Sequence, residues 1–313
     1  MDALSDVLSL LRVSSAISSR FEGRGAWAFR FPAYRHVKFG SVLSGRFHLW
    51  IEGEGSPQQI EEGDFYLLTN GLPFRSASDP ARAPLDGPAT YRSIRGADGV
   101  VRYHGEGEGE GELVSLASGR FIFENDVTEI LLRQLPPLIH LRAADVGSHA
   151  LSRVLDLLKW ETGGTYPGAD IAKSSLATLV LVHALRAYLA STERPEGWLG
   201  ALSDVKIGAA LSMMHAKPGQ RWTVESLASA VGMSRTAFAS RFRRSVGSAP
   251  LEYLNQWRMT IARTALRHSE EPLVDIAERI GYLSDTAFSI AFKRWTGQSP
   301  GRYRAQGRRV AEV

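Results

Sequence analysis

No cysteine occurs in the 313 residues. Structural disulfides and thiolate metal sites are therefore excluded, and the chain suits a reducing compartment. Long apolar runs are lacking too. The longest, Leu176 to Leu189, is broken by His183 and Arg186. It cannot span a bilayer and reads as a helix for a core or a dimer interface. The N-terminus does not read as an export signal. Asp2 and Asp6 stand where such a peptide is basic, and the short stretch Leu8 to Val13 carries Arg12. No Ser/His/Asp constellation, phosphate loop or carboxylate pair stands out. The expectation is a cytoplasmic protein without membrane contact and without enzymatic activity.

The chain is long enough for two domains, each with its own core. Its charge is divided unevenly. Residues 1–204 hold 20 Lys/Arg against 25 Asp/Glu, and residues 205–313 hold 17 against 8. A basic C-terminal third on an acidic front end is the electrostatic footprint of a nucleic-acid binder with a separate module. Charge alone does not establish this, since many basic domains bind nothing.

A repeat carries the case further. Gly232-Met233-Ser234-Arg235-Thr236-Ala237-Phe238 is followed by Arg241-Phe242-Arg243-Arg244, Gly247 and Pro250. Gly281-Tyr282-Leu283-Ser284-Asp285-Thr286-Ala287-Phe288 is followed by Phe292-Lys293-Arg294, Gly297 and Pro300. From the serine onward the offset is a constant 50, and before the turn it is 49, so the second turn is one residue longer. Each copy reads as a helix, a glycine turn and a second helix, the pattern of a helix-turn-helix.

In copy one, the first helix runs from Val224 to Val231, with Val224, Leu227, Ala228 and Val231 inward. Gly232 makes the turn with positive φ, and Ser234 caps the next helix. That helix buries Ala237, Phe238 and Phe242. Its opposite stripe is Thr236, Ala239, Ser240 and Arg243, with Arg235 leading. These side chains would face the major groove, and Arg243 and Arg244 would reach phosphates. The second stripe is Thr286, Ser289, Ile290 and Lys293, flanked by Ser284, Asp285 and Arg294. Val205 to Met214 forms a preceding helix, capped by Asp204. A long helix that Pro250 starts, spanning Leu251 to His268 and roughly 27 Å long at about 1.5 Å per residue, joins the two copies. Its length suits two reading heads about one duplex turn apart.

Residues 205–305 resemble the DNA-binding domain of the AraC/XylS transcription regulators. The resemblance rests on Ala249-Pro250-Leu251-Glu252-Tyr253-Leu254, Arg258-Met259, Ile276-Ala277, Gly281-Tyr282, Ser284, Phe288, Ala291-Phe292-Lys293-Arg294, Gly297, Ser299-Pro300 and Tyr303-Arg304. It implies sequence-specific binding to a double-stranded DNA operator, with RNA polymerase as a further partner. Ile290 departs from the family, which often carries a basic residue there, and Asp285 adds a negative charge. An isoleucine can touch a thymine methyl but donates no hydrogen bond. The first head is therefore expected to carry more of the base readout.

The front end reads differently. Residues 1–12 look like an amphipathic helix with Leu4, Val7, Leu8 and Leu11 on one face. From Trp27 to Phe123, short apolar runs alternate with turns: Trp27–Phe31, Val37–Leu43, Phe47–Ile51, Phe65–Thr69 and Arg120–Phe123. Such spacing suggests a small sandwich or barrel. Gly105 to Glu112 alternates glycine and glutamate and reads as a solvated loop. Helical periodicity returns with Val127, Ile130, Leu131 and Leu135, then Leu151, Leu155 and Leu158, then Ile171 to Ala190. The last is apolar nearly all round and suits burial or pairing in a homodimer.

Asp2 to Leu8, Arg30-Phe31-Pro32, Gly63-Asp64 and Asn70-Gly71-Leu72-Pro73 resemble the cupin-type sensor domain of one AraC branch. This implies a β-barrel holding a small-molecule effector, with flanking helices for dimerisation. Cupin enzymes hold a metal with clustered histidines, but here His48 stands alone. Phe74 and Asn70 occupy positions where related sequences place others. His36, His48 and His104 are scattered, and read as ordinary surface or hydrogen-bonded residues. Neither metal nor other cofactor is expected. Trp27, Trp50, Phe65 and Tyr66 read as barrel core before ligand cage.

The whole chain thus reads as α+β: a cupin-like β-barrel with flanking helices over 1–190, a linker over 191–203, an all-α domain of two helix-turn-helix motifs over 204–305, and a basic tail over 306–313. The leading reading is a ligand-responsive regulator. Beside it stand a ligand-independent regulator whose barrel only dimerises and, disfavoured by the missing histidines, a metal-dependent cupin enzyme with a DNA-binding tail.

Overall fold

The computed structural model describes residues 4–5, 13–34, 36–105, 112–123, 135–145, 148–162, 166–190 and 197–311. They fall into two compact units, the described residues from 13 to 190 and those from 197 to 311 together with residues 4–5. Most of the expected helix over 1–12, the periodic stretch 127–131 and most of the Gly/Glu loop lie outside the described residues. Among the described residues no helix is long and apolar enough to cross a membrane.

The first unit is two sheets around one aromatic core. One has the order β11-β6-β3-β10-β1-β9 and the other β5-β4-β7-β2-β8. The former contains β1 (Val13–Arg24), β3 (Val37–Ser44), β6 (Phe65–Leu68), β9 (Val100–His104), β10 (Val114–Phe123) and β11 (Leu138–Leu141). The latter contains β2 (Ala28–Phe31), β4 (Phe47–Ile51), β5 (Glu54–Ile60), β7 (Phe74–Ala77) and β8 (Leu85–Asp86). Phe21, Val42, Leu68 and Leu116 from the first sheet share a cluster with Phe29, Phe47, Leu49 and Phe74 from the second. The cupin-like barrel is therefore open: the two sheets face each other across the core without closing into one ladder. The outer strands of the five-stranded sheet, β5 and β8, are mostly exposed, which leaves them as edges.

Helix α1 (Gly87–Ser93) starts on the Asp86 carboxylate, which accepts from the Ala89 amide at 2.8 Å. Helices α2 (Ser148–Thr162) and α3 (Ala169–Ala190) pack on each other, and α3 lies against β1 and β11. The inward residues of α3 are Ala177, Val180, Leu181, Ala184, Leu185 and Ala187. Trp27, Phe65 and Tyr66 are buried, as a barrel core requires.

The second unit is all α. Within the segment expected as linker, Gly197–Ala201 forms a short helix α4 with Leu199 and Ala201 buried. Then come α5 (Val205–Ala216), α6 (Val224–Ala230), α7 (Arg235–Val246), α8 (Pro250–His268), α9 (Leu273–Arg279), α10 (Asp285–Thr296) and α11 (Pro300–Ala311). The expected caps are in place. Asp204 accepts from the amides of Lys206 and Ile207 at 3.0 and 3.1 Å. Pro250 and Pro300 open their helices, where a missing N–H costs nothing.

The extra residue of the second turn is Leu283, which is fully in solvent at 86% exposure. Both turns require glycine, with φ of +63° at Gly232 and +86° at Gly281, but their surroundings differ. A β-carbon on Gly232 would meet only Lys206 Nζ at 3.9 Å, whereas one on Gly281 would lie 2.6 Å from the Gly219 carbonyl oxygen. Gly281→Ala is therefore expected to cost more than the roughly 1–3 kcal/mol of a left-handed non-glycine residue, and Gly232→Ala to stay within it. Urea unfolding of the two variants checks this ranking; equal losses would contradict it.

Candidate nucleic-acid interface

The two heads are the same object built twice. Phe238 and Phe242 are fully buried with ring centroids 5.6 Å apart and planes at 56°. Phe288 and Phe292 are fully buried at 5.6 Å and 60°. Ser234 Oγ accepts from the Ala237 amide at 3.3 Å, and Ser284 Oγ accepts from the Ala287 amide at 3.1 Å. Gly247 and Gly297 end the helices in the left-handed region at +89° and +81°. Each second helix is thus fixed at both ends by its own sequence and along its inner face by two rings.

The outer faces also match. Ser234, Arg235, Thr236, Ser240, Arg243 and Arg244 are exposed, and so are Ser284, Asp285, Thr286, Ile290, Lys293 and Arg294. Ala239 and Ser289 are half-buried in both heads. Thr236, Ala239, Ser240 and Arg243 form one stripe along α7, and Thr286, Ser289, Ile290 and Lys293 form the matching stripe along α10. One inward expectation fails outright: Ala237 is exposed, as is its counterpart Ala287. Both lie in the first turn, where the backbone amide is used by the serine cap and the methyl has nothing to pack on. Val224 and Val231 are likewise only half-buried, because α6 is short and its centre, Leu227 and Ala228, fills the core.

The faces differ in chemistry. Helix α7 carries Arg235, Arg241, Arg243 and Arg244 and no acid, while α10 carries Asp285 against Lys293 and Arg294. Arg241 is committed to structure, since its guanidinium contacts the Asp204 carboxylate at 2.7 Å. Burial opposes the charge of Asp204. The amides of Ile207 and Lys206 and the Arg241 guanidinium outweigh it and hold the carboxyl below its ordinary value. Lys206 Nζ donates to the Gly232 carbonyl at 2.8 Å and ties the first turn to α5.

The repeat reaches further than the two helices. Tyr253 and Tyr303, also 50 positions apart, pack against Phe242 and Phe292 at 5.9 and 5.4 Å. The Tyr253 hydroxyl lies 2.8 Å from His215 Nε2 on α5, and the Tyr303 hydroxyl accepts from Arg263 Nε on α8 at 2.9 Å. Helix α5 thus serves the first head as the second half of α8 serves the second. The signal was present in the sequence as Pro-x-x-Tyr after each head. Between the heads, Arg258 on α8 donates to the carbonyls of Pro218 and Gln220 at 2.7 and 2.9 Å. This holds the loop that carries Gly219 against the second turn.

In the first unit, the histidines named from sequence stay apart. His48 sits on β4 paired with Gln59 and Ala77, and His104 is exposed at the end of β9. Among the described residues no three His, Cys, Asp or Glu side chains gather as metal ligands. A pair that sequence reasoning missed is Asp64 with His140, 2.7 Å apart on the β5–β6 turn and β11. Asp64 also accepts from the amides of Glu61 and Ala143 at 3.0 and 2.9 Å. A buried carboxylate with that set of donors fastens strands together.

Two of the cavities lined by described residues open in this unit. One of about 570 Å³ lies between the six-stranded sheet and α2; its walls mix Arg20, Arg95 and Lys159 with Glu62, Asp98 and Asp156. The other, of about 420 Å³, lies between the two sheets under α1. Phe21, Phe31, Phe47, Tyr66, Phe74 and Tyr91 line it.

Two capped heads with solvent-facing second helices, joined by one long helix, define a tandem helix-turn-helix DNA-binding protein. The sequence matches the Cupin family over residues 2–190 and a helix-turn-helix domain over residues 227–306. It is 38% identical over 305 residues to a putative AraC-like transcription regulator of Streptomyces lividans, covering 97% of this chain and 98% of that one. It is 31% identical over 308 residues to the HTH-type transcriptional regulator AlkR of Acinetobacter baylyi, covering 98% and 100%. Among solved structures, the DNA-binding domain of AdpA in complex with a target DNA is similar at 35% identity and a TM-score of 0.31, covering 32% of this chain and 90% of that one. The chain belongs to the AraC-type transcription regulators and carries a cupin domain ahead of its DNA-binding domain.

Proposed function

We propose that this regulator reads its operator with Arg235, Thr236, Ala239 and Ser240 of α7 and Thr286, Ser289 and Ile290 of α10. Arg243, Arg244, Lys293 and Arg294 meet phosphates, Asp285 tempers the second head, and Ser234 and Ser284 hold the helix starts. The observation that supports this is the match between the heads in burial, caps and ring geometry, which leaves the same stripe open twice. The cavity between the sheets takes a small-molecule effector that biases DNA binding, a change that requires different affinity for two states of the protein. Residues 1–190 sense and dimerise, residues 204–305 bind DNA, and RNA polymerase is met at the promoter in the cytoplasm. The chain is a regulator and performs no catalysis of its own.

Footprinting on DNA from the neighbourhood of its own gene tests the reading. The expected result is protection of two major-groove segments on one face of the duplex. Affinity should fall steeply with salt, with a log–log slope near −0.9 per neutralised phosphate. Protection of a single segment, or binding indifferent to salt, would contradict it.

A further inference from the structure

Among the described residues, the cavity between the sheets is lined by charge of one sign only: Lys38, Arg92, Arg95 and Arg120 stand there together with the aromatic rings, and no Asp or Glu does. Lys38 and Arg120 are directly paired across the β3–β10 ladder. Two like charges in that relation repel. The Lys38 ammonium lies 5.4, 4.9 and 5.1 Å from the ring centres of Phe31, Tyr34 and Phe74, and makes neither a hydrogen bond nor an ion pair among the described residues. Ring faces offer a cation partial compensation and leave its three N–H donors unused. Burial, and then Arg120, push Lys38 down to about 8.

An unbalanced ammonium inside a hydrophobic unit costs stability, and its ordinary remedy is a carboxylate partner. The surface of the same unit shows that remedy: Glu52 accepts from both Arg30 and Arg75. The described residues of the cavity's own walls do not supply one. Its volume of about 420 Å³ lies in the range of small-molecule sites, and seven aromatic side chains stand beside the cations.

We propose that this cavity binds an organic carboxylate with an apolar body, its carboxylate on Lys38 and Arg120 and its body against Phe31, Phe74 and Tyr91. The proposal rests on the ligand-control reading above and names the chemical class of the effector. The second cavity, with acids and bases mixed in its walls, carries no such preference.

Calorimetry and thermal unfolding of the full chain test it, with octanoate and naphthoate against the neutral octanol and naphthalenemethanol. At least one carboxylate should bind and raise Tm by a few degrees, and the matching alcohol should bind at least about tenfold more weakly. Lys38→Met should lose at least about tenfold in carboxylate affinity, the loss of one charge-assisted hydrogen bond. Without ligand it should melt at or above the unaltered protein, because the unbalanced charge is gone. Arg120→Gln, at an exposed position, should weaken the carboxylate without lowering Tm. Binding of neither carboxylate at millimolar concentration, equal binding of the alcohols, or undiminished carboxylate binding by both variants would overturn the proposal. Operator affinity separates it from the reading beneath. An operator response to the alcohols alone leaves ligand control standing and removes the carboxylate site. Carboxylate binding with no operator response does the reverse.

Discussion

Phe288→Ala is expected to cost the second head about 3–5 kcal/mol, and Phe238→Ala the same in the first. Each ring is fully buried and meets its partner phenylalanine at 5.6 Å, and that partner packs in turn on a tyrosine. Neither site can collapse, because the helix is fixed at its serine cap and its glycine stop. A loss of that size is a large part of the 5–15 kcal/mol that stabilises an ordinary domain. Amide exchange in the full chain checks it. Protection in the affected reading helix should drop by about a hundredfold or more, and operator binding should fail with it. Markedly unequal losses would show that the two cores are not energetically equivalent.

The second large effect concerns sequence readout. Arg235→Ala and Ser240→Ala should each cost about 1–3 kcal/mol on the operator and relax discrimination at the base each one faces. Thr286→Ala and Ser289→Ala should cost less. Removing Arg243 or Arg244 should weaken binding to all DNA alike and reduce the salt slope by about one per residue. The physical reason lies in donors. The α7 stripe offers a guanidinium and a hydroxyl where α10 offers a carboxylate and Ile290, which is 67% exposed. A carboxylate near the phosphates repels them, and an isoleucine can only touch a methyl. If changes at Thr286 and Ser289 prove the costlier, the division of labour between the heads is refuted.

The heads were legible from sequence because everything that shapes them is local. Ser234, Gly247 and Pro250 act on neighbours a few residues away, and the ring pair is one helical turn apart. Even so, periodicity overstated burial at Ala237, since it does not know where the first turn meets solvent. The strands were harder. The exposed strand β5, Glu54–Ile60, has polar residues on both faces and a proline within it, so no alternation marks it. Strand β1 is serine-rich, and its strand character is a matter of pairing with β10 and β9. Short β11 follows a Pro-Pro pair in a stretch otherwise periodic as helix, and it exists because β6 needs a partner.

By itself the sequence determined a tandem helix-turn-helix protein on an acidic cupin-like front end, and the asymmetry of its two reading faces. Caps, turns and ring spacing are short-range, and residue identity is enough to specify them. Only the tertiary structure decided which far-separated residues meet. It set Arg258 against the loop that steadies the second turn, joined Asp64 to His140, and put Lys38 opposite Arg120 in a cavity with no acid among the described residues of its wall. Strand register fixes those meetings, and register follows from how two sheets bury a shared core, a property of the whole unit that no local pattern encodes.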